Sequence, residues 1–141
     1  MKKLWLLYTF CCLPLHRLNL SSGYGYRIHP LTHRRQFHGG IDLRARGDTA
    51  FAVLAGRITA AGSNPLLGVY VRLANGQFDF TYGHLSQIFV LPGDSVEAGA
   101  PLAVTGSTGR VTGEHLHFSV RFKNRSVDPV QFLRALSAHS K

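Results

Sequence analysis

The sequence predicts a mainly β fold: a single compact domain of barrel or sandwich type that ends in one short C-terminal helix. Three observations lead there. Short apolar segments recur between Gly, Pro, Asn and Asp, two alternating segments flank Asn75-Gly76, and helical spacing of apolar residues is confined to the end of the chain. Short strands at such spacing favour a sandwich or barrel over alternating strands and helices.

Taken in order, residues 51–54 and 57–61 are short strand candidates, and residues 69–74 lead into Asn75-Gly76 with residues 77–82 following. Asn-Gly tolerates the positive φ angles of a type I′ turn, so this stretch is expected to be a hairpin. Residues 88–91, 102–105 and 115–122 complete the strand candidates. Helix is expected only in the tail, where Asp128 can cap, Pro129 suits the first helical position, and Val130, Leu133 and Leu136 recur at helical spacing.

A chain of 141 residues with 45% hydrophobic residues supplies one domain with an adequate core. Lys and Arg number 16 against seven Asp and Glu, and they are scattered along the chain. That balance suits an anionic environment. No basic helix or stacked-aromatic motif points to specific nucleic-acid binding, and anionic cell-surface polymers fit the charge as well. At the N-terminus, Lys2 and Lys3 precede an apolar run over residues 4–15. The run is too short for a comfortable span, so residues 1–22 are expected to be a signal peptide or N-terminal membrane segment, with cleavage near Ser22. This leaves 23–136 as the folded domain and 137–141 as a tail. Cys11 and Cys12 both fall in the leader, so no disulfide framework is expected.

The residues that carry chemistry are His38 and Asp42, in an H-x-x-x-D step, and His115 and His117, in an H-x-H step. Side chains alternate across a strand, so His115 and His117 project to one face while Leu116 and Phe118 project to the other. Gly39 and Gly40 argue against a stable helical turn in the first step. Catalytic zinc takes three nitrogen or oxygen ligands and keeps one position open. His38, Asp42 and one of the two strand histidines supply such a set.

Four segments extend this pattern in order: Arg27-Ile28-His29-Pro30, His38-Gly39-Gly40-Ile41-Asp42, Tyr82-Gly83-His84-Leu85-Ser86, and Gly106-Ser107-Thr108-Gly109 through Glu114-His115-Leu116-His117-Phe118. Together they resemble the lysostaphin-type zinc endopeptidases over roughly residues 23–132. The resemblance implies an antiparallel β-sheet metallopeptidase in which His38, Asp42 and His117 hold one zinc ion and His84 and His115 are the catalytic pair. It also implies hydrolysis of peptide cross-bridges in bacterial peptidoglycan, with peptide stems and cross-bridges as partners, and an exported monomer in the periplasm or cell envelope. The bond is expected to be Gly-Gly or D-Ala-diamino-acid. The alternative is a non-catalytic peptidoglycan-binding or hydrolase-regulating module of the same fold; such modules typically lack the metal ligands that this chain keeps.

The segment at 93–99 also resembles biotinyl carrier domains, but a carrier needs a modifiable Lys at a hairpin tip, and no Lys occurs between Lys3 and Lys123. Glu114 stands where the family more often has proline, and Ser119 where an acidic residue is common. His29 with Tyr24 or Tyr26 is expected beside the substrate groove, and His16, His33 and His139 away from it.

Overall fold

The computed structural model describes residues 12–139. In chain order the strands are β1 (Leu20–Ser22), β2 (Gly25–Ile28), β3 (Arg35–His38), β4 (Ile41–Arg44), β5 (Thr49–Phe51), β6 (Gly56–Asn64), β7 (Gly68–Asn75), β8 (Phe78–Ile88), β9 (Ser95–Val96), β10 (Pro101–Thr105), β11 (His115–Phe122) and β12 (Arg125–Val127), followed by the helix α1 (Pro129–His139). Ten strands form one antiparallel sheet with the path β1-β4-β11-β8-β7-β6-β9; β10 joins β8 to β5, β12 adds to β11, and β2 and β3 form a separate hairpin.

The core lies on one face of this sheet. Along β11, Leu116, Phe118 and Val120 are fully buried while His115, His117 and Ser119 between them are half-buried, the alternation that the sequence shows. Phe80, Tyr82, Val71 and Leu73 from β7 and β8 meet them, and the Phe80 and Phe118 rings stack 6.3 Å apart. The Tyr82 hydroxyl, fully buried, donates to the Phe51 carbonyl at 2.8 Å and accepts the Val53 N–H at 3.1 Å, so the polar tip of a core residue is satisfied. Helix α1 starts as its sequence suggests: the Asp128 carboxylate accepts the Val130 N–H at 2.9 Å. Phe132 then packs against Phe78 and Phe80, and Leu133 reaches the core. The helix runs to His139, so the residues assigned to a tail begin inside it.

The β7–β8 hairpin forms where Asn-Gly marks it, but one position later than a type I′ turn on that pair. Asn75 pairs with Phe78, leaving Gly76 and Gln77 as the central residues, and of these only Gly76 has positive φ. Positive φ at the first central residue alone is the pattern of a type II′ turn. Asn75 stays in the strand because its side-chain amide donates to the Ala55 carbonyl at 2.7 Å. Residues 89–91 lie beyond the end of β8 rather than in a strand.

Lys2, Lys3 and the apolar run as far as Cys11 lie outside the described residues. The rest of the expected leader is woven into the domain. Leu15 is only 2% exposed and belongs to the core. The Cys12 N–H donates to the Val53 carbonyl, the Phe51 N–H to the Pro14 carbonyl, and the Arg44 guanidinium to Asn19 Oδ1 and the Leu20 carbonyl. β1 pairs with β4, and the His16 ring meets Phe51 edge-on at 4.7 Å. Among the described residues no helix is long and apolar enough to cross a membrane.

A chain beginning at Gly23 loses this strap and the Leu15 side chain. Losing a buried leucine alone costs about 2–5 kcal/mol. Urea denaturation is expected to show the Gly23-start chain less stable than a Cys12-start chain by at least about 2 kcal/mol; equal midpoints would show that the strap adds nothing.

Candidate metal centre

The pairing of β4 with β11 builds the site. Its register sets Asp42 opposite His117 and Leu43 opposite Leu116. Directly opposed residues share a face, so one step along the pair sends two apolar side chains into the core and the next sends a carboxylate and an imidazole to the other face. His117 also lies opposite Gly83 of β8, one residue before His84. His38 arrives from the end of β3, and Gly39-Gly40 turns the chain from there into β4.

The Asp42 Oδ1 atom lies 3.1 Å from His117 Nδ1, 3.4 Å from His38 Nε2 and 3.6 Å from His115 Nε2. The ligand atoms of His38, Asp42 and His117 all fall within 4.8 Å of one another. Two atoms bound tetrahedrally to zinc at about 2.0–2.1 Å stand about 3.3–3.5 Å apart, so the His38–Asp42 separation matches an edge of such a site and the His117–Asp42 separation is slightly shorter. The hydrogen bonding agrees. His38 Nδ1 lies 2.9 Å from the Gly23 carbonyl and donates its proton there, which leaves the Nε2 lone pair aimed at a carboxylate oxygen. Two lone pairs set face to face favour a cation between them. Asp42 is buried, which by itself would raise its pKa; the imidazoles of His117 and His38 beside it outweigh this and hold the carboxyl well below the usual carboxylate range.

The remaining two histidines stand beside this group. The His84 and His115 rings are 4.9 Å apart, and His84 lies 6.0 Å from the His117 ring. Each is oriented through Nδ1, His84 by the Thr108 carbonyl at 2.8 Å and His115 by the Gly113 carbonyl at 3.0 Å, so each turns Nε2 away from its own anchor. His84 has φ 61, a left-handed conformation that a non-glycine residue adopts at some cost. Its N–H, donating to the Leu67 carbonyl at 2.7 Å, and its bond to Thr108 hold it there. Burial lowers its pKa and outweighs the opposing hydrogen bond to Thr108, with charge repulsion from His115 and His117 acting in the same direction as burial, so the neutral ring is favoured.

All five site residues read from the sequence therefore come together. They lie at the base of an open groove of about 700 Å³ whose walls include Arg27, His29, Phe37, Leu66 and Arg110. Of the flanking residues, His29 does line this groove. Tyr24 does not, since its hydroxyl bonds to Ser126 and its ring packs against Phe37; Tyr26 is exposed on the hairpin. The sequence reading passed over the orienting groups. The Gly23 and Gly113 carbonyls are backbone atoms and carry no side-chain signal. Thr108, inside a quoted motif, ties three segments together by donating its hydroxyl to the Leu85 carbonyl, accepting the Val69 N–H and offering its own carbonyl to His84. Glu114 has a defined partner: its carboxylate accepts the Gly47 N–H, pinning the residue before His115 to the turn after β4.

A model of peptidase family M23 matches residues 36–129, more than half of the 141-residue chain. The chain belongs to peptidase family M23. This M23 chain is 40% identical over 120 residues to the DD-carboxypeptidase/endopeptidase Mpg of Neisseria meningitidis, covering 83% of the chain and 27% of that protein. It thus spans about a quarter of the length of the curated relatives it matches. Among solved structures, a zinc-containing peptidase from Vibrio cholerae matches with TM-score 0.79 and 34% identity over 85% of this chain and 39% of that one. The catalytic domain of the antimicrobial peptidase lysostaphin from Staphylococcus simulans matches with TM-score 0.76 and 30% identity over 83% of this chain and 92% of that one.

Gly40 makes the convergence sterically feasible. A Cβ there would stand 2.7 Å from the Phe118 carbonyl oxygen and 2.9 Å from His117 Cε1, closer than real contacts allow. Gly40→Ala is expected to shift the His117 ring and weaken zinc binding about 10–100-fold, the range seen when a ligand's support is disturbed. Competition against a chromogenic chelator measures this, and unchanged affinity in a folded variant would contradict it.

Proposed function

We propose that this M23 domain is a zinc-dependent endopeptidase that hydrolyses peptide cross-bridges of bacterial peptidoglycan, with His38, Asp42 and His117 as ligands and His84 and His115 as the catalytic pair. The observation that carries the reading is the convergence of His38 Nε2, Asp42 Oδ1 and His117 Nδ1, with two further imidazoles beside them in an open groove. The relatives support the same reading: DD-endopeptidases of the wall and lysostaphin are among them. Acting on the wall places the protein beyond the cytoplasmic membrane, in the periplasm or envelope.

Zinc, when bound, supplies Lewis acidity toward the scissile carbonyl and the attacking water. The chain does the rest. The Gly23 carbonyl holds the His38 tautomer, and Asp42, kept ionised at any pH near neutral, balances part of the metal's charge. Burial favours the neutral form of His84, and its bond to Thr108 puts the proton on Nδ1 and leaves Nε2 as an acceptor; His115 is anchored through Nδ1 at the Gly113 carbonyl. One of the pair takes the proton from water, and the departing amine receives a proton from the pair as the C–N bond breaks. The open groove admits an extended peptide, as a polymer cross-bridge requires.

His117→Ala is expected to abolish both zinc binding and hydrolysis. His115→Ala should keep most of the zinc while turnover falls about 10²–10⁴-fold, the usual worth of a proton-transfer group. Metal analysis beside a turnover assay separates the two, and equal zinc loss in both variants would refute the division of roles.

Mass spectrometry of fragments released from purified peptidoglycan of several cross-bridge types tests the reaction itself. The zinc-loaded protein should release fragments with new peptide termini, and a chelator should stop it. A folded, zinc-loaded chain that releases nothing from any wall would point to binding without cleavage.

A further inference from the structure

The groove is charged in a way that the metal centre does not require. Arg27 and Arg110 line it from different segments, Arg27 from β2 and Arg110 from the loop between β10 and β11. Asp42 is the only carboxylate among the lining residues, and it is committed to the metal centre. Other arginines of this chain are engaged: Arg44 bonds to Asn19 and Leu20, Arg121 to Asn124, Arg35 lies over the Tyr26 ring and Arg72 over Tyr70. Among the described residues neither the Arg27 nor the Arg110 guanidinium has a protein acceptor or an aromatic partner, and both face the groove's solvent.

The position of Arg110 is built rather than incidental. Its N–H donates to the Leu66 carbonyl at 3.1 Å. Just before it, Gly109 meets Gly68 so closely that a side chain at either would enter the other's backbone, and the Thr108 hydroxyl stitches the same place to Val69 and Leu85. Arg27 is held by the pairing of β2 with β3, opposite Gln36. Two fixed-charge forks on a pre-formed wall, with donors unspent, match a planar carboxylate in charge and shape.

The geometry points to Arg27 and Arg110 as a carboxylate-reading subsite, so that the substrates are cross-linked stem peptides bearing a free carboxylate near the scissile bond. Uncharged oligoglycine bridges lack that group and gain nothing from either arginine. The inference rests on the proposed endopeptidase reading and adds the substrate class to it.

The test uses the zinc-loaded full chain and two synthetic cross-linked peptides joined by a D-Ala-diamino-acid bond, identical except that one has its carboxylates free and the other has them amidated. Chromatography gives kcat/KM for each, and calorimetry gives each affinity. The free-acid peptide is expected to be favoured by about tenfold or more, as charge-assisted bidentate hydrogen bonds are stronger than neutral ones. Arg110→Gln and Arg27→Gln should each pull that ratio toward one, while Arg72→Gln, on the exposed face of β7, should leave it in place. A ratio near one in the unaltered protein, or a ratio that both groove substitutions leave unchanged, overturns the subsite. The affinity ratio decides this even if neither peptide is cut, and absence of cutting would then count against the endopeptidase reading alone.

Discussion

The pairing of Asp42 with His117 across β4 and β11 is the constraint from which the site follows. The same two strands carry Ile41, Leu43, Leu116 and Phe118 into the core, all at most 1% exposed. A slip of one residue would exchange the two faces, pushing charged and imidazole groups inward and apolar ones out. Burial of about 25 cal/mol per Å² of apolar surface, summed over four such side chains, makes the slip prohibitive. The hydrophobic core therefore fixes how Asp42 and His117 stand relative to each other. Once that pair is set, His38 and the two remaining imidazoles need only local anchors, and each has a backbone carbonyl.

That division explains what could be read from the chain. The central strands were legible because β7, β8, β10 and β11 alternate or carry β-branched and aromatic runs, and the Asp128-Pro129 start of α1 is a local signal. β1 to β3 were not: they are three or four residues long and largely exposed, too short for a pattern to stand out from the flanking turns. β1 exists because β4 supplies an edge for it, whereas β2 and β3 pair with each other in a hairpin. β4 escaped for the opposite reason, being buried on both faces with no polar partner to alternate except Asp42 itself. The four site histidines and Asp42 were found because imidazole and carboxylate at such spacing are chemically conspicuous; the carbonyls that orient them are invisible in any sequence.

The N-terminal stretch shows how a correct compositional observation can meet a structural competitor. An apolar run after two lysines has the character of a leader. Yet Leu15 and the backbone of residues 12–19 complete hydrogen bonds and packing that β4 and β5 would otherwise leave open. Composition reports what a segment can do in a translocation pathway, and burial reports what it does in the fold; the two are separate questions answered by different physics.

The Gly23 carbonyl sits at the meeting point of these themes. It directly follows β1, and it takes the proton of His38 whose opposite nitrogen faces Asp42. A cation drawn to Nε2 polarises the imidazole and strengthens its bond to Gly23, while a firmly seated β1 presents that carbonyl at the right distance. Binding free energies linked through a shared group are reciprocal. Under the proposed ligand set, the edge of the sheet and the ion site would be linked thermodynamically, the occupancy of one favouring the docking of the other.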